Sequence, residues 1–421
     1  MARILMEPFS RALVIESPHP SLDEHLVSVG IAVRREPKVP DTDFLIEKLR
    51  EVRAQVLFKR SRVPVTREVV ASCPDLHLVQ LCSIGDDSVD KVACADHGVL
   101  VCNDPVSNGR SVVELVVAHL IALSRRLYET DVATHANRWE KSAAGRFEVL
   151  GKCLGIVGLG NIGRQVARVA EALGMEVLFY DNRFVAQEVG GEMGWEGCRT
   201  LAELFQQSDM VTVHLSASDV WGNSNDGILD AHLGELGAER DKSSPRIFLN
   251  LARGNLFSTD ELLKAVAEGA IRRAAVDVYP LEPAPGVDGW LNPYADEPRI
   301  SCTPHIGAAT QEAQPRIAKR VSDTVGALSL RGALRDCVFA PRAKLAFSGD
   351  LLGRAILAVA HSVARGTKKA IDDAIFEAEV DNLGSMHRDF DVGVAYDLSL
   401  LDRPLNETEL NRLVQRAGEL V

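Results

Sequence analysis

The chain predicts an α/β protein with two doubly wound parallel-sheet domains followed by a small C-terminal α+β unit. Three observations predict it. Short apolar runs alternate with helical patterns from the N-terminus to Val278, as parallel strands covered by helices require. A strand from Leu154 runs directly into Gly158, Gly160 and Gly163, with a helix behind them and Asp181 standing 18 residues past the last glycine. From about residue 339 the pattern changes, mixing one helical face with strict alternation. The first two observations describe Rossmann-like and flavodoxin-like sheets, whose ligands lie beyond the carboxyl ends of the strands.

Composition narrows the function. A chain of 421 residues holds two or three domains, and a net charge of −12 argues against nucleic acid or an anionic membrane as partner. Eight scattered cysteines without a C-x-x-C pair read as reduced thiols, with no metal centre expected. Glu7 and Arg11 interrupt any signal-peptide core, and the longest apolar run, Val112 to Leu123, contains Glu114 and His119 and is too short to span a bilayer. The expectation is a soluble, cytoplasmic protein.

In chain order, strands are expected at Leu13–Ile15, Ile31–Val33, Ala54–Phe58, Leu76–Leu81 and Val99–Cys102, with a helix marked by Phe44, Leu45, Leu49 and Val52. Two loops follow strand ends. Lys59-Arg60-Ser61-Arg62 gathers three cations in an acidic chain, and Ser83-Ile84-Gly85 offers backbone N–H groups able to hold a carboxylate. An apolar connector helix from Ser111 leads to a loop with Trp139 and Lys141. In the glycine turn, Gly158 permits the bend, Gly160 lets backbone approach a pyrophosphate, and Gly163 lets helix pack on strand. Asn161 and Ile162 open the helix whose N-terminus faces the phosphates. Asp181 accepts from ribose hydroxyls and favours NAD, while Arg183 keeps NADP open. Further strands are expected at Met210–His214, Ile247–Asn250 and Ala274–Val278.

Beyond these strands stand Arg253 in Asn-Leu-Ala-Arg-Gly, Asp277 in Asp-Val-Tyr, Glu282 in Pro-Leu-Glu-Pro and His305 in Thr-Pro-His-Ile-Gly. Each alone is ambiguous; together they fall where the nicotinamide end of a dinucleotide must lie. In this order the motifs resemble the D-isomer-specific 2-hydroxyacid dehydrogenases, over roughly residues 10–340. The resemblance implies NAD as cofactor and a small 2-hydroxy acid as substrate. It also implies a discontinuous substrate domain (1–107 and 302–338) around an NAD-binding domain (108–301), a separate unit at 339–421, and a homodimer or homotetramer. It makes His305 the acid/base, Glu282 its partner and Arg253 the carboxylate ligand, and sets His214, Ala252 and Asp277 on the cofactor. A carboxylate beside an imidazole favours its charged form, and negative charge developing on the substrate oxygen calls for a proton donor and a fixed cation.

Within the family, Lys59 to Thr66 resembles a loop whose two arginines hold a substrate phosphate, which gives Arg60 and Arg62 that role. Asn108 and Lys141 fit the same branch, whose substrate carries a phosphate, and Ser83, Ile84 and Gly85 complete the expected substrate set. Departures are Gly109 for a usual threonine, the acidic Asp86-Asp87, Leu215 for a proline after His214, and a long polar segment from Ser216 to Pro245 that includes Trp221. Two alternatives stand beside this reading: an unphosphorylated 2-hydroxy acid as substrate, and an NAD-sensing interaction protein, which has no need of Arg253, Glu282 and His305 together.

After a linker at Leu334–Arg342, a strand is expected at Leu345–Phe347, then a helix with Leu352, Ile356, Val359 and Val363 on one face. Alternation at Phe376, Ala378 and Val380 and again at Phe390, Val392, Val394, Tyr396 and Leu398 suggests two strands, the second half-buried. Asn406 with Glu409 caps a final helix running through Leu410, Leu413 and Leu420. This order resembles an ACT regulatory domain short of its last strand. The turn from Phe347 through Gly349 and Asp350 to Gly353 lacks the residues by which such domains hold serine.

Overall fold

A computed structural model of the chain describes residues 3–5, 7–218, 223–241, 243–283, 289–340, 344–348, 351, 353–390 and 393–419. Readings that rest on Trp221, Arg342, Gly349, Asp350, Leu352, Val392 and Leu420 lie outside them. The chain forms two compact units, Met1–Ser107 with Gln311–Val421, and Asn108–Thr310.

The first unit begins with β1 (Arg3–Leu5), β2 (Arg11–Ile15), β3 (Ala32–Glu36), β4 (Val56–Lys59), β5 (Leu78–Leu81) and β6 (Leu100–Cys102). Strands β2 to β6 make a parallel sheet in the order β3-β2-β4-β5-β6, the flavodoxin-like winding. Every residue of β4 and β5 is buried, as helices on both faces of a parallel sheet require. The returning chain docks beside β6, with Val338 N–H donating to Val101 O (2.8 Å) and Asn103 N–H to Asp336 O (3.1 Å).

The second unit contains β7 (Cys153–Val157), β8 (Glu176–Tyr180), β9 (Glu196–Gly197), β10 (Met210–Val213), β11 (Ile247–Asn250), β12 (Arg273–Val276) and β13 (Ile300–Cys302). They form a parallel sheet in the order β13-β12-β11-β10-β7-β8-β9, reversing direction at β7 as a Rossmann sheet does. The boundary falls after Thr310 rather than after residue 301. Strand β13 is the sheet's edge, and the loop behind it is tied back through Asp277 and through Ser111 Oγ, 3.0 Å from Thr310 Oγ1. His305 therefore belongs to the dinucleotide unit.

The C-terminal segment holds β14 (Ala355–Ser362), β15 (Asn382–Asp389) and β16 (Val394–Leu401), and it clusters with the first unit rather than standing alone. The sheet is antiparallel, in the order β1-β14-β16-β15. The edge place beside β14 is taken by the N-terminal β1, with Arg3 opposite Ala360 and Leu5 opposite Ala358.

Four expectations for this segment are corrected. The stretch around Ile356–Val359 is strand β14, not a helix, and Leu345 makes only a single bridge to Leu334. Residues 376–380 close the helix Thr367–Glu377, with Phe376 82% exposed, and the second strand comes later. Strand β16 is buried along its whole length, not half-buried. The misreadings of β14 and β16 share one cause. One face of this sheet (Ala358, Ala360, Tyr396, Leu398) joins the core of the first sheet, and the other (Leu357, Val359, Leu401) lies under Ile371, Ile375 and Leu413 of the covering helices. Central strands covered on both faces lose the period of two.

Candidate active site

The cofactor end is built around β7. Gly158 has φ +93°, and a Cβ there would lie 2.7 Å from His214 O. A Cβ at Gly163 would lie 2.2 Å from Gly158 O, so the helix Asn161–Ala172 sits on the turn at backbone contact. At Gly160 only Arg183 Nη2 comes within 4 Å, at 3.9 Å, leaving an open cradle at the helix N-terminus. First-turn amides of a helix have no intrahelical acceptor, which suits this cradle to a pyrophosphate. His214 follows β10, its Nε2 3.2 Å from Thr212 Oγ1, and burial pushes its imidazole down to about 3, so the ring is neutral.

Asp181 is buried and heavily committed. Its Oδ2 accepts from Leu159 N–H (2.9 Å) and Arg183 Nη2 (2.7 Å), and its Oδ1 from Arg183 N–H and Nε (both 2.9 Å). Burial raises its pKa, but the Arg183 hydrogen bonds and charge hold it below the ordinary carboxylate value. A carboxylate has about four lone-pair sites. Ribose hydroxyls reach Asp181 only by displacing Arg183.

The candidate catalytic residues come from three neighbouring strand ends of the same sheet. Asn250, at the end of β11, shapes the next turn: its Nδ2 donates to Arg253 O (2.7 Å) and its Oδ1 accepts from Ala252 N–H (3.0 Å). Arg253 Nη1 donates to Ala252 O (2.8 Å). A Cβ on Gly254 would meet the Tyr279 carbonyl carbon at 2.1 Å, so the loop carrying Arg253 touches the loop leading to Glu282. Asp277, fully buried, accepts from Thr303 Oγ1 (2.7 Å), Ile306 N–H and Gly307 N–H (both 2.8 Å). These bonds brace a loop in which His305 is held at φ +53°. His305 Nδ1 is 2.7 Å from Glu282 Oε2, while Glu282 Oε1 accepts from Tyr279 N–H (3.2 Å). Burial raises the Glu282 pKa, but the His305 hydrogen bond and charge, the Tyr279 amide and the Arg253 charge hold it below the ordinary glutamate value. A half-exposed imidazole with one nitrogen fixed by a carboxylate presents its other nitrogen, Nε2, as a general acid/base.

In the first unit, the loop after β4 is pinned by Glu16, whose carboxylate accepts from the backbone N–H groups of Arg60 (2.5 Å), Arg62 (2.8 Å) and Val63. The Arg60 and Arg62 guanidinium groups make no hydrogen bond or ion pair among the described residues, whereas Lys59 is buried and donates to Ser88 Oγ (2.6 Å) and Arg60 O (3.1 Å). Ser83 Oγ donates to Gly85 O (3.1 Å) and Ile84 O accepts from Asn103 Nδ2 (2.7 Å). Asp86 is paired with Lys91 at 3.1 Å, so its charge is partly neutralised. In the second unit, Asn108 is buried with Oδ1 unpartnered, and Lys141 is exposed. A side chain at Gly109 would crowd Asn161 Nδ2 at 3.2 Å and Gln165 Nε2 at 3.3 Å.

Residues 117–307 match the model of the D-isomer specific 2-hydroxyacid dehydrogenase NAD binding domain. A D-3-phosphoglycerate dehydrogenase from Haemophilus influenzae is 33% identical over 336 residues, covering 79% of this chain and 78% of the relative. The chain belongs to the D-isomer-specific 2-hydroxyacid dehydrogenases. A D-3-phosphoglycerate dehydrogenase from Escherichia coli (strain K12) is 31% identical, covering 90% of this chain and 89% of the relative. The solved structure of a glyoxylate reductase from Paecilomyes thermophila has the same fold, with a TM-score of 0.67 at 23% identity over 79% of this chain and 98% of that one. This dehydrogenase is thus an NAD-dependent oxidoreductase acting on the CH–OH group of a D-2-hydroxy acid.

Sequence reasoning missed the residues that hold this dehydrogenase's site in shape. Asn250 and Thr303 stand inside motifs that were quoted for their neighbours, so position alone signalled them. Glu16 carried no signal, because its partners lie 44 to 47 residues further on.

Proposed function

We propose that this enzyme interconverts 3-phosphoglycerate and 3-phosphohydroxypyruvate, the first oxidation on a route to serine. The observation that carries this reading is the Glu16-pinned loop whose Arg60 and Arg62 guanidinium groups have no hydrogen-bond or ion-pair partner among the described residues, in a chain whose curated relatives at 31–33% identity bear the phosphoglycerate dehydrogenase name. In this proposal Arg60, Arg62 and Lys141 hold the phosphate. Ser83, Ile84, Gly85 and Asn108 line the substrate, and Arg253 binds its carboxylate and polarises the reacting oxygen.

His305 Nε2 takes the hydroxyl proton during oxidation and returns it during reduction, with Glu282 stabilising the imidazolium. Gly158, Gly160, Asn161, Ile162, Gly163, Asp181, His214 and Ala252 hold the dinucleotide. Asp277, expected on the cofactor, instead braces the His305 loop in this reading, because its carboxylate is fully buried and accepts from Thr303, Ile306 and Gly307. Bound NAD supplies the hydride acceptor. Exposed Leu127, Val132 and Trp139 support a homodimer or homotetramer, and eight cysteine thiols outside any disulfide support a cytoplasmic setting.

The test compares initial rates of NADH oxidation with phosphohydroxypyruvate, hydroxypyruvate and 2-oxoglutarate, in wild type, Arg60→Ala/Arg62→Ala and His305→Ala. The expected result is a strong preference for the phosphorylated substrate that the double substitution abolishes, with His305→Ala losing turnover and retaining NAD binding. Equal turnover of unphosphorylated acids, indifferent to the two arginines, leaves a dehydrogenase of an unphosphorylated 2-hydroxy acid.

A further inference from the structure

Away from the dehydrogenase site, the helix-covered face of the C-terminal sheet carries a polar cluster that the chemistry above does not use. Asp397 lies on the central strand β16, directly opposite His387 on β15, and His361 comes from β14 on its other side. Asp397 is 1% exposed, with Oδ2 2.6 Å from His361 Nε2 and Oδ1 3.0 Å from His387 Nδ1. One ligand atom from each of the three residues lies within 4.8 Å of the others. The cluster opens on a cleft of about 470 Å³, bordered by His361, His387, Lys368, Asp372 and Asp389.

We propose that His361, His387 and Asp397 form a binding site for one divalent transition-metal ion of the zinc class. Two imidazoles and a carboxylate, with no thiol, suit zinc, cobalt or nickel, whereas magnesium and calcium prefer an all-oxygen shell. The surroundings are those of a metal site as well. His387 Nε2 is 2.9 Å from Asp389 Oδ1, the carboxylate–histidine arrangement that orients a ligating ring and leaves its other nitrogen for the ion. A ring flanked by carboxylates on both nitrogens calls for positive charge, which either a second ring proton or a cation bound on the Asp397 side supplies. Lys368 supplies part of that charge in the metal-free chain: its Nζ is 3.5 Å from Asp397 Oδ1 and 2.7 Å from Asp372 Oδ1. Its firmer contact is with Asp372, so an arriving ion displaces only the longer one. Three ligands on three strands leave a fourth position open to the cleft, which is also the entry path.

The test uses the full-length chain stripped of metal with a chelator. Zn²⁺ is titrated by calorimetry and Co²⁺ by its visible ligand-field bands, with Mg²⁺ as competitor, in wild type, His387→Ala and Asp389→Asn. One saturable equivalent per chain is expected, untouched by Mg²⁺. His387→Ala should lose it, and Asp389→Asn should weaken it by about 10-fold or more. His387 is on an edge strand with its side chain 37% exposed, so its truncation is compatible with folding, and unchanged NAD-dependent turnover checks this. Absence of saturable binding in wild type, or equal affinity in wild type and both variants, overturns the proposal: the first leaves a hydrogen-bonded cluster, the second puts the ion elsewhere, on the thiols.

Discussion

Lys59, Arg60 and Arg62 look in the sequence like one cationic run, and burial separates them. Lys59 sits at the end of a fully buried strand, and burial pushes its amine down to about 8. An unfolded lysine titrates at about 10.4. Between those values the unfolded chain binds a proton that the folded chain does not, so stability rises with pH across that window and the penalty is fully present below it. At 1.36 kcal/mol per unit, the window is worth roughly 3 kcal/mol. Lys59→Met removes this titration. Its stability advantage over wild type, measured by urea unfolding, should be larger at pH 7.5 than at pH 10.5 by roughly that amount; a pH-independent difference would mean that Lys59 titrates normally. Nothing in the local pattern distinguishes Lys59 from its neighbours, because its burial depends on Ser88, 29 residues away.

Elements were legible where their local pattern survives packing. The parallel strands that alternate with helices fall close to their expected places, and the helix Glu407–Glu419 opens with the expected Asn406 cap, its Oδ1 accepting from Glu409 N–H, to which the structure adds Glu409 Oε2 accepting from Asn406 N–H. Strand β14 was misread because the apolar residues at 356, 359 and, just beyond the strand, 363 happen to suit a helical face, while burial on both sides erased alternation. Loop-to-loop contact is legible only in part: Gly254 stands in a recognised motif, yet the reason for glycine there is the Tyr279 backbone. Gly254→Ala should therefore force apart the loops carrying Arg253 and Glu282, lowering kcat by more than 10-fold together with the melting temperature. Gly160→Ala, with open space at its Cβ, should keep the melting temperature and raise the Kd for NAD, since its methyl group occupies the cradle. Similar behaviour of the two variants in a thermal melt would contradict the backbone contact.

At the scale of the molecule, the discontinuous chain path was implied only by the family resemblance, and the association of the C-terminal sheet with the first unit was not implied at all. Antiparallel pairing of β1 with β14 joins segments more than 350 residues apart, and no sequence window reports a partner at that distance. Deleting residues 1–6 should strip β14 of this neighbour. Hydrogen exchange at Ala358 and Ala360 should then accelerate by at least 10-fold relative to the full chain, while exchange in β10 and β11 of the other unit stays unchanged. Equal protection in both chains would show that β1 contributes no stability to the sheet.

This pairing also orders events on the ribosome. Strand β1 cannot be seated in its sheet until β14 and its neighbour β16, more than 350 residues later, have been made. At about 5–20 residues per second, that is a wait of roughly 20–80 s. Throughout it β1 lacks its partner strand, and the antiparallel sheet closes only after the whole of the other unit has been made between them.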